Sequence, residues 1–150
     1  MLILASASPR RHDLLLAAGI DHRVQPANVP ERLTDGEDAR SFVRRLARAK
    51  AHAIDLAQDD VALGADTVVC VNDLILGKPR DSADAIRMLG LLAGRDHEVL
   101  TAVCLRSAKR AIVDVAATRV SFLAISEREI KEYVKSGEPV DKAGAYAIQG

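Results

Sequence analysis

The chain opens on a short apolar run, Leu2–Ala5, that gives way at once to Ser6-Ala7-Ser8-Pro9-Arg10-Arg11. So short a run reads as a buried strand, and serine followed by proline reads as a helix N-cap with proline at the first helical position. Leu14, Leu15 and Ala18 predict an apolar side for this helix, and Gly19 predicts its end. A second short strand is expected at His22–Gln25, followed by a polar loop over Pro26–Gly36. Phe42, Leu46, Ala49 and Ala53 then recur at helical spacing, and Arg44, Arg45 and Arg48 on the same helix read as a solvated face.

Val61–Val71 has the composition of a strand interrupted by Gly64-Ala65-Asp66-Thr67, and Asn72-Asp73 predicts a tight turn into Leu74–Leu76. Ser82 is the expected cap of a short helix that runs through Leu92. His97–Arg106 and Arg110–Leu123, rich in Val, Ile and Thr, predict a long antiparallel pair. Ser126 and Glu129 have the spacing of a capping box for a helix ending near Gly137, and GAYAIQG predicts the start of one more strand. Without an internal repeat or linker, this alternation of types predicts an α/β fold with a mixed sheet.

Composition narrows the function more than the fold. With 150 residues, 49% hydrophobic, the chain can bury a core as one domain. Lys and Arg total 21 against 21 for Asp and Glu, so no global charge recruits a nucleic-acid polymer and any phosphate binding must be local. No stretch is apolar enough to span a bilayer and the first residues lack a signal-peptide layout, so a cytoplasmic protein is expected, without a membrane partner. Cys70 and Cys104 stand alone in apolar segments and read as buried thiols rather than metal ligands or a disulfide.

The polar residues left over suggest chemistry. A strand that runs into a helix N-terminus leaves backbone N–H groups aimed outward at the positive end of the helix dipole, which suits an anion. Ser6 and Ser8 add hydroxyls, and Arg10 and Arg11 add guanidinium forks matched to phosphate oxygens. A capped helix with two solvated arginines fits that segment equally well. Asp66 lies in a run whose neighbours favour burial, and a carboxylate there needs a partner, be it Thr67, a backbone amide or a cation. Glu31 sits in the first polar loop, Lys50 late in the arginine-bearing helix, and Lys78 in a GKP segment that lacks the glycine and hydroxyl pattern of a P-loop.

These stretches together resemble the Maf family, nucleoside triphosphate pyrophosphatases also described as septum-formation inhibitor-like. LILASASPRR, the VPE of the first loop, RLARAKA, LGADTVV, ILGKP, HEVLTAV and SGEPVDKAGAYAIQG occur in family order from end to end of the chain. The resemblance implies a mixed twisted sheet flanked by helices around a central cleft, of the Maf and inosine triphosphatase-like type. It frames residues 1–150 as a single domain of this family whose C-terminal part is missing, since relatives continue beyond the IQG motif. It implies Asp66, Lys50 and Lys78 as catalytic residues, with Asp66 the general base or a metal ligand. Ser6, Ser8, Arg10, Arg11, Thr67 and Gln149 are implied to bind substrate, and Glu31 and Asp66 to hold a divalent Mg²⁺ or Mn²⁺. Arg10, Thr67 and Gln149 fall at positions that select pyrimidines, and DKAGAYAIQG points to the branch acting on dTTP and UTP. A 7-methyl-GTP or broad-specificity pyrophosphatase, and a non-catalytic nucleotide-binding regulator of septum formation, stand as alternatives. The family and an exposed sheet edge both admit a homodimer.

Overall fold

The computed structural model describes residues 1–148. Six strands share one sheet: β1 (Leu2–Leu4), β2 (His22–Val24), β3 (Val61–Val71), β4 (Leu74–Leu76), β5 (Asp96–Arg106) and β6 (Ala111–Ser121). Four helices accompany them, namely α1 (Pro9–Ala17), α2 (Ala39–His52), α3 (Ser82–Leu92) and α4 (Glu127–Lys135). The strand order is β2-β1-β3-β5-β6, with β4 paired to β3. β1 runs parallel to both β2 and β3, Leu2 lying beside His22 on one side and Val61 on the other. β4 folds back antiparallel on β3, pairing Val69 with Leu76 across a turn in which Asn72 and Asp73 both adopt positive φ, as a primed hairpin turn requires. The mixed α/β sheet expected from the sequence is therefore present.

The chain forms two compact units, with boundaries inside β3, β5 and β6. The first contains Met1–Asp66 and Thr101–Ala116. Its core is the apolar face of α2, made of Phe42, Val43, Leu46, Ala47 and Ala51, together with Ile3, Leu4, Ala62, Ala102 and Cys104. Asp38 caps α2 by accepting the Ser41 N–H at 2.8 Å. The second unit contains Thr67–Leu100 and Ala117 onward. There Val69, Val71, Leu76, Met88, Leu89 and Leu92 bury against Ile130, Val134 and Ala145.

Several local expectations are corrected. β3 is one unbroken strand: Gly64 is extended where α2 packs against it, and the Asp66 carboxylate is paired with Lys50 rather than breaking the strand. α1 buries no residue: Leu14 and Ala18 are exposed and Leu15 is half-buried. His12 Nδ1 of α1 lies 2.8 Å from His22 Nε2 of β2. The cap of α3 is Asp81, whose carboxylate accepts the Asp84 N–H, while Ser82 is the first helical residue. The Ser126–Glu129 capping box forms as expected. In place of a final strand, Ala143–Ala145 make a 3₁₀ turn around Gly144 at φ +69°, and Gln149 and Gly150 lie outside the described residues. Cys104 is buried and Cys70 half-buried, both as free thiols.

Candidate active site

The segment between β1 and α1 is held by its own side chains. Ser6 is buried, and its hydroxyl accepts the Ser8 N–H at 3.2 Å and the Arg11 Nη1 at 3.1 Å. Arg11 Nη1 also donates to the Ala65 carbonyl at 3.0 Å, which ties the first turn of α1 to β3 one residue before Asp66. Ser8 is the N-cap residue by backbone conformation, yet its side chain makes no capping bond. Ser6, not Ser8, therefore organises the turn, and the expected hydroxyl cap at Ser8 is not used for capping.

Asp66 is buried on β3, and its carboxylate accepts a hydrogen bond from the Lys50 ammonium. Lys50 Nζ stands 2.7 Å from Asp66 Oδ1 and 2.7 Å from Glu31 Oε1. One ammonium thus gathers two carboxylates brought from the first loop and the third strand. Lys50 reaches them because α2 lies directly on β3 at Gly64: a Cβ there would fall 2.2 Å from the Ala47 carbonyl oxygen and 2.5 Å from the Ala51 nitrogen. Lone glycine inside a strand is a known mark of such close approach. The sequence carried this signal, and reading it as a break in the strand missed its meaning.

The loop that carries Glu31 is fixed by one of the arginines expected to be merely solvated. Arg45 grips the Glu37 carboxylate with Nε at 2.7 Å and Nη2 at 2.8 Å, and its Nη2 also donates to the Arg32 carbonyl at 2.8 Å. Its guanidinium lies 5.5 Å from the Phe42 ring centre. The Arg45 bonds hold the Glu37 carboxyl at about 2, well below its ordinary value. Arg44 and Arg48 are exposed, as a solvated face would be.

Burial pushes the Asp66 carboxyl above the usual carboxylate range, while the Lys50 ammonium pulls it down and the Glu31 charge adds to the rise. Burial likewise draws the Arg11 guanidinium below its ordinary value, with Asp66 acting in the opposite sense. Two cations and two anions of one compact unit therefore sense one another across a partly dehydrated centre. Oxygen donors from Glu31 and Asp66 suit a hard divalent cation. Among the described residues no group of three or more His, Cys, Asp or Glu gathers to hold a metal. Arg10 is half-buried on the first turn of α1, one residue before Arg11.

Two further expected residues belong to the second unit. Thr67 is half-buried and follows Asp66 on β3. Lys78 is exposed, and its Nζ lies 4.0 Å from Asp141 Oδ1. Gln149 falls outside the described residues.

The sheet and helices define an α/β protein of the fold seen in Ham1 proteins. The structure of the Staphylococcus aureus Ham1 protein superposes with a TM-score of 0.53 at 13% identity, covering 80% of this chain and 70% of that one. A HAM1 protein from Coxiella burnetii gives 0.51 at 16% identity, covering 80% and 71%. The particular family is set by sequence: the model described as Maf-like protein matches residues 1–150, and the chain belongs to the Maf family. A dTTP/UTP pyrophosphatase of Koribacter versatilis is 51% identical over 150 residues, which are 99% of this chain and 78% of that protein. One of Anaeromyxobacter dehalogenans is 50% identical over 153 residues, with 99% and 77% covered.

Proposed function

We propose that this chain is a nucleoside triphosphate pyrophosphatase that hydrolyses dTTP and UTP to the monophosphate and pyrophosphate. The observation that carries the site reading is the meeting of Glu31 and Asp66 on Lys50, beside the Ser6–Arg11 turn. Cleavage between the α and β phosphates needs an activated water, charge relief on a tetra-anion, and stabilisation of departing pyrophosphate.

Each requirement has a candidate group. The N-terminal turn of α1, with Ser8 and Arg10, binds phosphate oxygens; Ser6 and Arg11 shape that turn, and Arg11 supplies charge. Asp66 accepts the proton of the attacking water, a role suited to a carboxyl whose proton affinity burial has increased. Lys50 keeps that carboxylate and Glu31 oriented and offsets their mutual repulsion. Lys78 neutralises charge on the leaving pyrophosphate. Thr67 and Gln149 contact the pyrimidine, and the glutamine amide offers both a donor and an acceptor to its edge.

Glu31 and Asp66 also fit a divalent cation, Mg²⁺ or Mn²⁺, because they present hard oxygens at a position that already attracts positive charge. With only two protein carboxylates, the rest of such a shell falls to water and phosphate oxygens. When bound, the metal supplies Lewis-acid relief of triphosphate charge. We propose further that the protein works as a nucleotide-binding enzyme of the cytoplasm.

The test is an incubation with dTTP, UTP, dCTP, ATP and 7-methyl-GTP plus Mg²⁺ or Mn²⁺, with monophosphate, pyrophosphate and orthophosphate assayed separately. The expected result is equimolar monophosphate and pyrophosphate, fastest from dTTP and UTP. Orthophosphate and diphosphate nucleotide as products would refute the bond assignment, and binding without any product would refute the enzyme.

A further inference from the structure

An arginine of the first unit takes no part in the chemistry proposed above. Along the second half of β5 the residues alternate: Ala102 and Cys104 are fully buried, Val103 and Leu105 are exposed, and the inward row ends on Arg106. The Arg106 guanidinium reaches the end of α2, where Nη1 donates to the His52 carbonyl at 3.1 Å and Nη2 to the Ile54 carbonyl at 3.0 Å. Its Nε is buried with no hydrogen-bond partner among the described residues.

A helix commonly ends on a glycine of positive φ, which turns the following N–H groups back onto the last carbonyls. α2 lacks that device: its C-cap, Ala53, keeps right-handed backbone at φ −75° and ψ −7°, and none of residues 53–56 has positive φ. A glycine cap would also leave no buried N–H unpaired, a state that costs free energy. What only the guanidinium supplies is a tie between the end of α2 and β5, made by two bonds from one planar group, with positive charge at the negative end of the helix dipole.

The tied end is the turn that carries Lys50, two residues before His52. The Ala53 N–H closes onto the Ala49 carbonyl, and beyond it the helix ladder supplies no further donor. On the sheet side the same turn is seated at Gly64, through the Ala47 oxygen and the Ala51 nitrogen. A lysine has a long stem with many rotamers, so its ammonium is placed only as well as its backbone is. Here that ammonium must stay 2.7 Å from both Asp66 and Glu31.

We infer that Arg106 is a positioning residue for Lys50: its two bonds to the His52 and Ile54 carbonyls hold the last turn of α2 so that one ammonium meets both carboxylates. The inference deepens the pyrophosphatase reading and rests on it for its effect on turnover. Supporting residues of this kind change rate without touching substrate.

The experiment uses the full chain and the variants Arg106→Met, Arg106→Lys and Ile3→Val, the last a core substitution on β1 that lowers stability and leaves the end of α2 intact. Each protein is studied at the same margin below its own melting point. Pyrophosphate release from dTTP gives kcat and KM, and reductive methylation read peptide by peptide gives the reactivity of Lys50. Arg106→Met is expected to lower kcat at least about tenfold with KM within about twofold, because the phosphate-binding turn lies on α1. Its Lys50 is expected to be methylated at least about tenfold faster than in the parent, through local fraying of the last turn. Arg106→Lys keeps the charge but cannot make both bonds, and about a threefold loss of kcat is expected. Ile3→Val is expected to match the parent in both readouts. Lys50 as protected in Arg106→Met as in the parent overturns the inference, and so does equal exposure of Lys50 in Ile3→Val. Should Arg106→Met fail to fold, unchanged Lys50 protection in Arg106→Lys overturns it instead. Methylation is read without turnover, so a parent that releases no pyrophosphate refutes the function reading alone, and the Lys50 rates still decide whether Arg106 places the ammonium.

Discussion

At the scale of single residues, Asp66 concentrates the conflict between stability and chemistry. It is a carboxylate placed in a strand whose neighbours are buried, with the Lys50 ammonium only partly offsetting its dehydration. Asp66→Asn is expected to lower turnover at least about a hundredfold, measured as pyrophosphate release. The same variant is expected to melt about 2–4 °C higher at pH 7, the response of a domain this size to about 1 kcal/mol, with Lys50 still paired to Glu31. A carboxyl raised in the folded state contributes stability that is present below its unfolded value and lost as pH climbs through its folded one. The melting difference therefore vanishes below about pH 4, where both chains carry a neutral group at this position. For the same reason the acid limb of kcat/KM is expected above the ordinary carboxylate range. Asp66 and the Ser6–Arg11 turn stood out from the sequence as a carboxylate in an apolar run and a polar strand-to-helix junction, whereas Glu31 and Lys50 were singled out by the family resemblance. Their mutual pairing could not be read there, since Lys50 and Asp66 are sixteen positions apart and only the packing of α2 brings them together.

Among the elements, α2 does the positioning, and it does so with residues that hold no chemistry. Arg45 clamps Glu37 and the Arg32 carbonyl, and through them the loop that presents Glu31. Arg45→Ala is expected to reduce turnover about tenfold, as loss of a supporting bond behind the carboxylate proposed to hold the metal would, with the defect in metal dependence rather than in thermal stability. The clamp also has a pH signature. Glu37 is depressed to about 2, so its grip is fully formed above its ordinary value of 4.5 and weakens as pH falls toward 2. Amide exchange of residues 31–37 checks this, and acceleration confined to pH below about 4 is expected. Sequence patterning found α2 and its apolar stripe, yet charge placement alone made Arg45 a solvent residue, because its partners come from a loop without periodicity. α1 shows the opposite error: Leu14, Leu15 and Ala18 form an apolar side by helical spacing, yet the helix buries none of its residues, because periodicity marks which side could be buried and not whether anything covers it.

For the whole chain, neutrality and local charge lead to a specific expectation about metal. With 21 basic and 21 acidic residues, the molecule has no global field to attract a triphosphate, so affinity must come from local groups. EDTA is expected to abolish turnover, and excess Mg²⁺ or Mn²⁺ to restore it. Melting temperature is expected to move by less than about 1 °C under chelation, because Lys50 already compensates Glu31 and Asp66 in the folded chain and a metal that barely stabilises the native state leaves Tm in place. A drop of many degrees would mean that the fold itself depends on metal. The mixed sheet and the family were both legible in the sequence, through element alternation and the ordered motifs from LILASASPRR to DKAGAYAIQG. The division into two units was not, because its boundaries cut through β3, β5 and β6, where no linker composition marks them. The Arg106 bonds to the end of α2 were equally hidden, joining residues 54 and 52 positions apart.

Gly64 has the broadest consequence for how this molecule tolerates change. Gly64→Ala would drive a methyl group into the backbone of α2 and is expected to cost about 2 kcal/mol or more and to cut turnover by displacing Lys50. A saturation survey of the chain would accordingly rank position 64 with the catalytic residues, although it has no side chain and touches no nucleotide. What the fold needs there is an emptiness, and no side chain fits at that position for as long as helix and strand must meet.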